Sequence, residues 1–222
     1  MKLKFREQIW CFLFRIKLVR LFLFYKLDRY KTKLSLLDNL DLKFNHNALD
    51  FGANNGIISQ YIFDKYKCNV EVFEPNPYCF GILQKIFKGN TKVKLHNVAV
   101  SNKSLKTKLY LSRRSADITN MGLSEISSLE KKKANVSTKN YLYVKCINVE
   151  KLFQKFKKIH FLKIDVEGHE YKLFPSIIKN IKKFGKIFCE MHGSSHRPEF
   201  KKDYDKWDKK LKKFKNKNFF YW

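Results

Sequence analysis

From residue 48 onward, short apolar blocks alternate with segments of helical spacing, and this rhythm constrains the fold more than any other feature of the chain. Parallel sheets with helical crossovers produce such a pattern. The expected strands are 48–51, 69–73, 93–100, 159–164 and 186–191, and the expected helices are 57–67, 77–87, 171–181 and 199–215. The sequence therefore predicts an α/β fold with a mostly parallel central sheet flanked by helices.

The rhythm changes in the middle of the chain. Residues 106–112 and 141–149 alternate in the manner of strands, and a polar, serine-rich loop at 113–139 separates them. We expect an inserted β-hairpin whose loop lies over the ligand edge of the sheet. Residues 219–222 begin a further strand. Because no repeat or linker interrupts the pattern, we predict a single domain at 46–222, preceded by a basic, apolar helical extension at 1–45.

The segment Ile9 to Tyr25 is nearly all apolar but contains Arg15, Lys17 and Arg20. These cations leave no uninterrupted apolar run of the ~18 residues that a membrane span requires. A secretory signal is also disfavoured, because no small-residue cleavage site follows. Two interpretations remain: a basic helix in residues 1–30 that rests on an anionic membrane surface, or a helix that packs on the domain or in a dimer.

The formal net charge of +27 suggests a nucleic-acid partner, because lysine and arginine neutralise phosphates. Only seven of the 47 basic residues are arginines, however, and arginine is the side chain suited to bidentate recognition of bases and phosphates. The composition also matches a drift toward lysine, asparagine, phenylalanine and isoleucine. A nucleic-acid partner is therefore disfavoured, and the oligomeric state is left open.

Five cysteines occur without C-x-x-C spacing, at Cys11, Cys68, Cys79, Cys146 and Cys189. An odd number without metal-ligand spacing indicates neither a disulfide framework nor a zinc site. We predict buried, reduced thiols and a cytoplasmic protein, with a peripheral position at the inner membrane face as an option.

The stretch ALDFGANNG, residues 48–56, ends the first expected strand with an acid and a glycine turn. Gly52 permits close backbone approach, and Gly56 lets the next helix begin against a ligand with free N–H groups. A dinucleotide fingerprint would require glycine at 54 and 57, where Asn54 and Ile57 stand. The acid Asp50 instead suits a positively charged ligand, such as the ammonium and sulfonium groups of S-adenosylmethionine.

Ligands of open α/β sheets bind outside the carboxyl ends of the strands, so the residues that close later strands complete the pocket. Glu74 closes the second strand, 22 residues after Gly52, where an acid accepts hydrogen bonds from ribose hydroxyls. Asn97 and Ala99 follow in HNVAV, beside the expected adenine face, and Asp165 closes the next strand in FLKIDVEGHE.

The segments LDFGANNGIIS, EVFEPNP, HNVAVSNKS and FLKIDVEGHE, followed by EMHG, occur in this order over residues 48–193. Together they resemble the FkbM family of S-adenosylmethionine-dependent methyltransferases. The resemblance implies a Rossmann-like methyltransferase fold and transfer of a methyl group to oxygen, commonly a hydroxyl of a sugar, polysaccharide or related metabolite. The predicted cofactor residues are then Asp50, Phe51, Gly52, Asn54, Gly56, Glu74, Asn97, Ala99 and Asp165.

Methyl transfer from a sulfonium requires an acceptor oxygen held in line, and a positioned base assists a poorly acidic hydroxyl. The predicted catalytic residues are Asp165, which faces the methionine part of the cofactor or the acceptor, and either His169 or His192 as the base. No spacing compels a metal site and none is predicted, although Asp165, Glu167 and a histidine suit a divalent ion.

The loop supplies further candidates for the acceptor pocket. Ser127 and Ser128 are placed to line it, and Arg113 with Arg114 is placed to meet an acidic sugar or phosphate; a solvated loop is the alternative. Two other functions stay open at this point: a nucleic-acid methyltransferase or binder, and an inactive, membrane-associated scaffold.

Overall fold

The computed structural model describes residues 8–9, 12–13, 34–114, 126–193, 198–214 and 219–221. Of the segment 9–25, only residues 9, 12 and 13 are described, and these are helical; the rest of the expected N-terminal helix lies outside the described residues. No helix within the described parts of the chain is long and apolar enough to cross a membrane.

Six strands form the main sheet: β1 (Asn47–Phe51), β2 (Asn69–Phe73), β3 (Val93–His96), β7 (Ile159–Ile164), β8 (Phe184–Cys189) and β9 (Phe219–Tyr221). Their order is β3-β2-β1-β7-β8-β9, and every neighbouring pair is parallel. Among the described residues, the α-helices that follow β1 along the chain are α1 (Ile57–Tyr66), α2 (Pro77–Ile86), α3 (Val149–Gln154), α4 (Glu170–Lys179) and α5 (Lys201–Leu211). This arrangement confirms the predicted Rossmann-like α/β fold.

The strand order places the ligand edge of the sheet. The chain runs outward from β1 to β3 on one side and from β7 to β9 on the other, so the order reverses between β1 and β7. At such a reversal the connections diverge to opposite faces and leave a crevice at the carboxyl ends of the strands. Phe51 and Ile164 are the paired last residues of these two strands, so Gly52 and Asp165 follow directly into the crevice.

A second sheet of three strands lies at this edge: β4 (Ala99–Ser101), β5 (Leu105–Ser112) and β6 (Val136–Asn148), in the order β4-β6-β5. Strands β5 and β6 are antiparallel and form the inserted hairpin that the sequence predicts. Ala99, Leu109, Val144 and Cys146 form the buried inner face of this small sheet. The sheet is therefore one-sided, with its apolar face turned inward.

The prediction of one strand at 93–100 was wrong, because the chain leaves the main sheet after His96. The Asn97 side chain donates to the carbonyls of Glu74 at 2.9 Å and Pro75 at 3.2 Å, which fixes the bend between the two sheets. A continuous apolar alternation hid this bend in the sequence.

The observed bounds of other strands and helices differ from the predicted ones by a few residues. Strand β6 begins at Val136 rather than 141 and ends at Asn148, because the Asn148 side chain caps the unpredicted helix α3 by accepting from the Lys151 amide. Strand β8 runs two residues earlier than expected. The helices expected at 171–181 and 199–215 are α4 and α5, and short 3₁₀ turns occupy Ile181–Lys183, Pro198–Phe200 and Lys212–Phe214.

Two hydrophobic clusters cover the faces of the main sheet. One contains side chains of α1 and α2, and Leu34, Leu37, Leu40 and Leu42 belong to it; the other contains side chains of α3, α4 and α5. Four leucines of the segment assigned to the extension therefore pack on the domain core, and the boundary at residue 45 stays a prediction.

The burial of the described cysteines agrees with the prediction of buried, reduced thiols. The four that the structure describes, Cys68, Cys79, Cys146 and Cys189, are free and buried. Cys11 lies outside the described residues.

Candidate active site

A cavity of about 430 Å³ occupies the crevice between the carboxyl edge of the main sheet and the small sheet, and this volume lies in the range of small-molecule sites. Six of the predicted site residues line it: Gly52, Asn54, Glu74, Ala99, Asp165 and His169. The other five, which are not part of the wall that the described residues form, are Asp50, Phe51, Gly56, Asn97 and His192. These five support the wall from behind or lie beside it.

The turn after β1 needs glycine at its first position. Gly52 has φ +77°, and a Cβ atom there would lie 1.9 Å from the carbonyl oxygen of Asp165. The backbone amides of Gly52 and Ala53 donate to the carbonyl of Phe73 at 3.0 and 3.2 Å. Gly56, with φ +79°, precedes α1 as its N-cap. The turn thus presents bare backbone to the cavity, as the motif predicts.

Lys163, which is not among the predicted site residues, lies at the centre of the crevice and is 7% exposed. Its ammonium donates to the Gly52 carbonyl at 2.7 Å, and it lies 3.1 Å from an Asp50 oxygen and 3.7 Å from an Asp165 oxygen. Burial alone would lower its pKa, but Asp50 and Asp165 outweigh that effect and hold the pKa above its ordinary value. A charged residue inside the otherwise apolar strand FLKI was the signal available in the sequence.

The contacts of Asp50 explain why it lies behind the cavity wall. The buried carboxylate accepts from the Ser59 hydroxyl at 2.5 Å and pairs with Lys163. Asp50 therefore holds the lysine that ties the ends of β1 and β7 together, and direct contact with a cofactor stays a prediction.

Glu74 is buried at the end of β2 with both carboxylate oxygens turned toward the glycine turn and α2. One oxygen accepts from the Asn54 amide and the other from the Asn76 amide, each at 2.7 Å. Burial raises the pKa of Glu74 to about 7, although both backbone hydrogen bonds act in the opposite direction. Each carboxylate oxygen retains a second lone pair, so the group can still accept from ligand hydroxyls.

The loop of the motif DVEGHE adopts the left-handed region at Glu167, with φ +56°, and at Gly168, with φ +99°. The carboxylate of Glu167 pairs with the buried Lys133 and lies 3.1 Å from Nε2 of His192. Burial raises the pKa of Glu167, but the hydrogen bond from His192 and the charge of Lys133 outweigh it and lower the pKa below its ordinary value. This carboxylate is ionised at neutral pH.

His192 lies between two carboxylates, beside the cavity rather than in its wall. Its Nε2 faces Glu167, and its Nδ1 lies 3.2 Å from an oxygen of the fully buried Glu170. Burial would lower the pKa of His192, but the two carboxylates raise it to about 10. The ring therefore carries both protons at neutral pH, and the base role requires one of them to leave first.

His169 lines the cavity, and both of its ring nitrogens are engaged. Nδ1 lies 2.6 Å from a Glu130 oxygen and Nε2 lies 2.9 Å from the Ser101 hydroxyl. Burial raises the pKa of Glu130, but His169 and Lys172 lower it below its ordinary value. This row resembles a serine, histidine and acid triad, but Ser101 is 4% exposed and is not in the cavity wall. His169 joins the small sheet to the motif loop, and its predicted role as a base stays a prediction.

The serine pair of the hairpin loop lines the cavity, as the first of its two interpretations predicts. The Ser128 hydroxyl donates to the carbonyl of Glu167 at 2.6 Å. This hydrogen bond fastens residues 126–135 of the hairpin loop, which we call the roof of the cavity, to the motif loop at 165–170. The arginine pair does not line the cavity that the described residues form, and Arg113 donates through Nε to the Val136 carbonyl at 2.8 Å.

Three potential ligand atoms meet at the far end of the cavity. Oxygens of Asp165 and Glu190 and a ring nitrogen of His192 all lie within 4.8 Å of one another. Asp165 and Glu190 are in the cavity wall. Neighbouring strands place them there, because the Asp165 amide donates to the Phe51 carbonyl at 3.1 Å and the Glu190 amide to the Ile164 carbonyl at 2.9 Å.

Comparison with protein families decides the kind of site. The profile described as Methyltransferase FkbM domain matches residues 50–221, which is most of the chain. The chain belongs to the FkbM methyltransferase family. The suspected resemblance is confirmed, and the family suggests S-adenosylmethionine as the methyl donor. No curated protein matches the sequence. The FkbM domain contains the glycine turn, Glu74, Asp165 and both histidines, so the cavity is the candidate active site of a methyltransferase.

Proposed function

We propose that this FkbM methyltransferase transfers a methyl group from S-adenosylmethionine to a hydroxyl oxygen of a sugar, polysaccharide or related metabolite. One observation carries the proposal: a single cavity joins the buried carboxylate of Glu74 to the carboxylates of Asp165 and Glu190, across the bare backbone of Gly52. A ligand with hydroxyls at one end and positive charge at the other matches this order. S-adenosylmethionine has ribose hydroxyls on one side of its sulfonium and an ammonium on the other.

The cofactor then has a defined direction in the cavity. Its ribose hydroxyls donate to Glu74, and its adenine lies against Pro75, Val98 and Ala99, which line the same end. Its ammonium and sulfonium lie near Asp165, where the acids concentrate. The acceptor enters beneath the roof, beside Ser127 and Ser128.

The reaction is an in-line displacement in which the acceptor oxygen forms a bond to the methyl carbon as the bond from carbon to sulfur breaks. The products are a methyl ether, S-adenosylhomocysteine and a proton, and holding the acceptor in line supplies most of the rate. His169 and His192 are the candidate bases from the sequence, and the carboxylate of Glu190 is a third candidate because it lies in the cavity wall. Assaying His169→Ala, His192→Ala and Glu190→Gln at saturating cofactor tests the three candidates, because a variant that keeps both cofactor affinity and full turnover has not lost the base.

Calorimetry with S-adenosylmethionine tests the shared premise. Wild type should bind one equivalent, and Glu74→Gln should bind about tenfold or more weakly, since a lost hydrogen bond to a charged group costs about 1.5–3 kcal/mol. Glu150→Gln, on α3 and outside the cavity wall, is the matched control and should keep wild-type affinity. Equal affinity in all three proteins would remove the pocket assignment.

The acceptor class is tested by methyl incorporation. Purified protein is incubated with labelled cofactor and, in separate reactions, with a neutral polysaccharide, an acidic polysaccharide, a nucleotide sugar or RNA. We expect label in a saccharide acceptor, and the label should survive base treatment because a methyl ether is stable to base. Label in RNA, with binding that weakens steeply as salt rises, would instead support the nucleic-acid alternative. Cofactor binding without turnover on any acceptor would support the inactive scaffold.

We also propose that the protein works in the cytoplasm at the inner membrane face. Residues 1–30 support this because their aromatic and aliphatic side chains are interspersed with arginine and lysine, as in helices that rest on anionic lipid.

A further inference from the structure

We propose that Asp165, Glu190 and His192 form a binding site for a divalent cation at the end of the cavity away from Glu74. Asp165 follows β7, while Glu190 and His192 follow the neighbouring strand β8. One ligand atom from each residue lies within 4.8 Å of the other two, so a single ion between them can contact all three. The ligands come from two hydrogen-bonded strands of a rigid sheet, which favours a preformed site.

The orientation of His192 matches that of a ligating histidine. Its Nδ1 faces Glu170, whose carboxylate is fully buried and also accepts from the backbone amides of His192 at 2.8 Å and Gly168 at 2.9 Å. Metal-bound histidines commonly donate their second ring N–H to such a carboxylate. Nε2, the other ring nitrogen, lies 3.1 Å from the Glu167 carboxylate, which lines the cavity. On binding, Nε2 gives its proton to solvent and the ion takes the place of that proton.

The charge around this point also favours a cation. The crevice gathers five carboxylates against three cations, which are the ammonium groups of the buried Lys133 and Lys163 and the protonated ring of His192. The carboxylates belong to Asp50, Asp165, Glu167, Glu170 and Glu190. This local excess of negative charge stands in a protein whose formal net charge is +27. A divalent ion, with or without the positively charged cofactor, balances it.

The ligand types indicate the class of ion. Carboxylates suit Mg²⁺ and Mn²⁺, while imidazole suits first-row transition metals, so Mn²⁺ satisfies both preferences. Its function rests on the proposed methyl transfer: the ion would contact the acceptor hydroxyl and lower its pKa, as bound metals do for water. Binding of the ion itself does not depend on that function.

Mn²⁺ binding is measured on the full chain, freed of metal with a chelator, from the loss of the free-ion electron paramagnetic resonance signal. No cofactor or acceptor is added. We expect one saturable site per chain, about tenfold or more weaker in Asp165→Asn and Glu190→Gln, since even outer-shell changes cost 10- to 100-fold in metal affinity. Glu170→Gln should also weaken binding, and Glu150→Gln should not.

The outcomes separate this inference from the proposed function. No saturable binding at millimolar Mn²⁺, or unchanged binding in both Asp165→Asn and Glu190→Gln, overturns the metal site. Circular dichroism and cofactor calorimetry on Glu190→Gln check that the variant is folded. Mn²⁺ binding without cofactor binding leaves the metal site standing and removes the methyl-transfer proposal, whereas cofactor binding without Mn²⁺ binding does the reverse.

Discussion

At the scale of single residues, Glu74 has an ionisation that falls within the working pH range, because burial raises its pKa to about 7. Ribose hydroxyls donate hydrogen bonds, so they favour the ionised carboxylate, and cofactor binding then releases a proton. We therefore predict that affinity for S-adenosylmethionine rises as pH increases through 7 and levels off above it. Calorimetry at a series of pH values should show this slope in wild type and lose it in Glu74→Gln.

The raised pKa of Glu74 affects folding in the opposite direction from cofactor binding, because it makes the folded protein less stable as pH rises. The folded-state pKa of Glu74 lies above its ordinary value of 4.5, so the folded protein binds more protons between those two pH values. The contribution of Glu74 to the free energy of unfolding is therefore largest below pH 4.5 and falls as pH rises through about 7.

The binding measurement can also contradict the assignment of Glu74 to the ribose. It would do so if the affinity for S-adenosylmethionine fell, rather than rose, as pH increased through about 7.

How far the sequence predicts the site depends on whether a residue acts locally. The positions of Gly52 and Glu74 in the cavity wall were predictable, because each residue follows the end of a strand at a fixed spacing along the chain. Lys163 was missed because its partners, Asp50 and the Gly52 carbonyl, are more than a hundred residues away in sequence. The contacts of His169 with Glu130 and Ser101, and those of His192 with Glu167 and Glu170, were also hidden, because these partners meet the histidines only when the chain folds.

At the scale of elements, the six strands of the main sheet were predicted near their observed positions along the chain, because each is an apolar run between helical or polar segments; the order of the strands in the sheet was not predicted. The small sheet was predicted less well. The prediction merged strand β4 with β3. Strand β6 begins five residues before its predicted start, because a half-exposed strand that contains lysines and tyrosines has no clear start in the sequence. Tertiary hydrogen bonds, such as those of Asn97, set these limits.

The roof over the cavity depends on a buried cation. Lys133 is 1% exposed, donates to the Ile126 carbonyl at 2.6 Å and pairs with Glu167 across the crevice. We predict that Lys133→Met lowers the free energy of unfolding by about 3 kcal/mol, at the low end for a broken buried pair because His192 still contacts Glu167. Denaturant titration measures this loss.

The adjacent lysine provides the matched control for the roof. Lys132 is half exposed and pairs with Asp203 at the surface. Because exposed ion pairs contribute little, Lys132→Met should cost less than about 1 kcal/mol. Equal losses in the two variants would show that the buried pair has no special role in holding the roof.

At the scale of the whole molecule, the sequence is strongly basic, although Asp50, Asp165, Glu167, Glu170 and Glu190 gather in the crevice. The chain has 47 lysines and arginines against 20 aspartates and glutamates. Such a surface attracts any polyanion without selecting one, and the attraction weakens with salt as the screening length falls to about 3 Å at about 1 M. Binding to an anionic membrane therefore needs a test that separates the N-terminal segment from the general charge.

We predict that the full chain sediments with vesicles containing anionic lipid and not with neutral vesicles, and that salt reduces but does not abolish the binding, because apolar side chains of residues 9–25 also insert. Replacing Arg15, Lys17 and Arg20 with glutamine should weaken binding strongly. The matched control also removes three positive charges, but from the exposed face of α5, by replacing Lys202, Lys206 and Lys209 with glutamine. If both triple variants lose binding equally, general charge rather than the N-terminal segment attracts the membrane; if wild type does not sediment, the proposed membrane position is wrong.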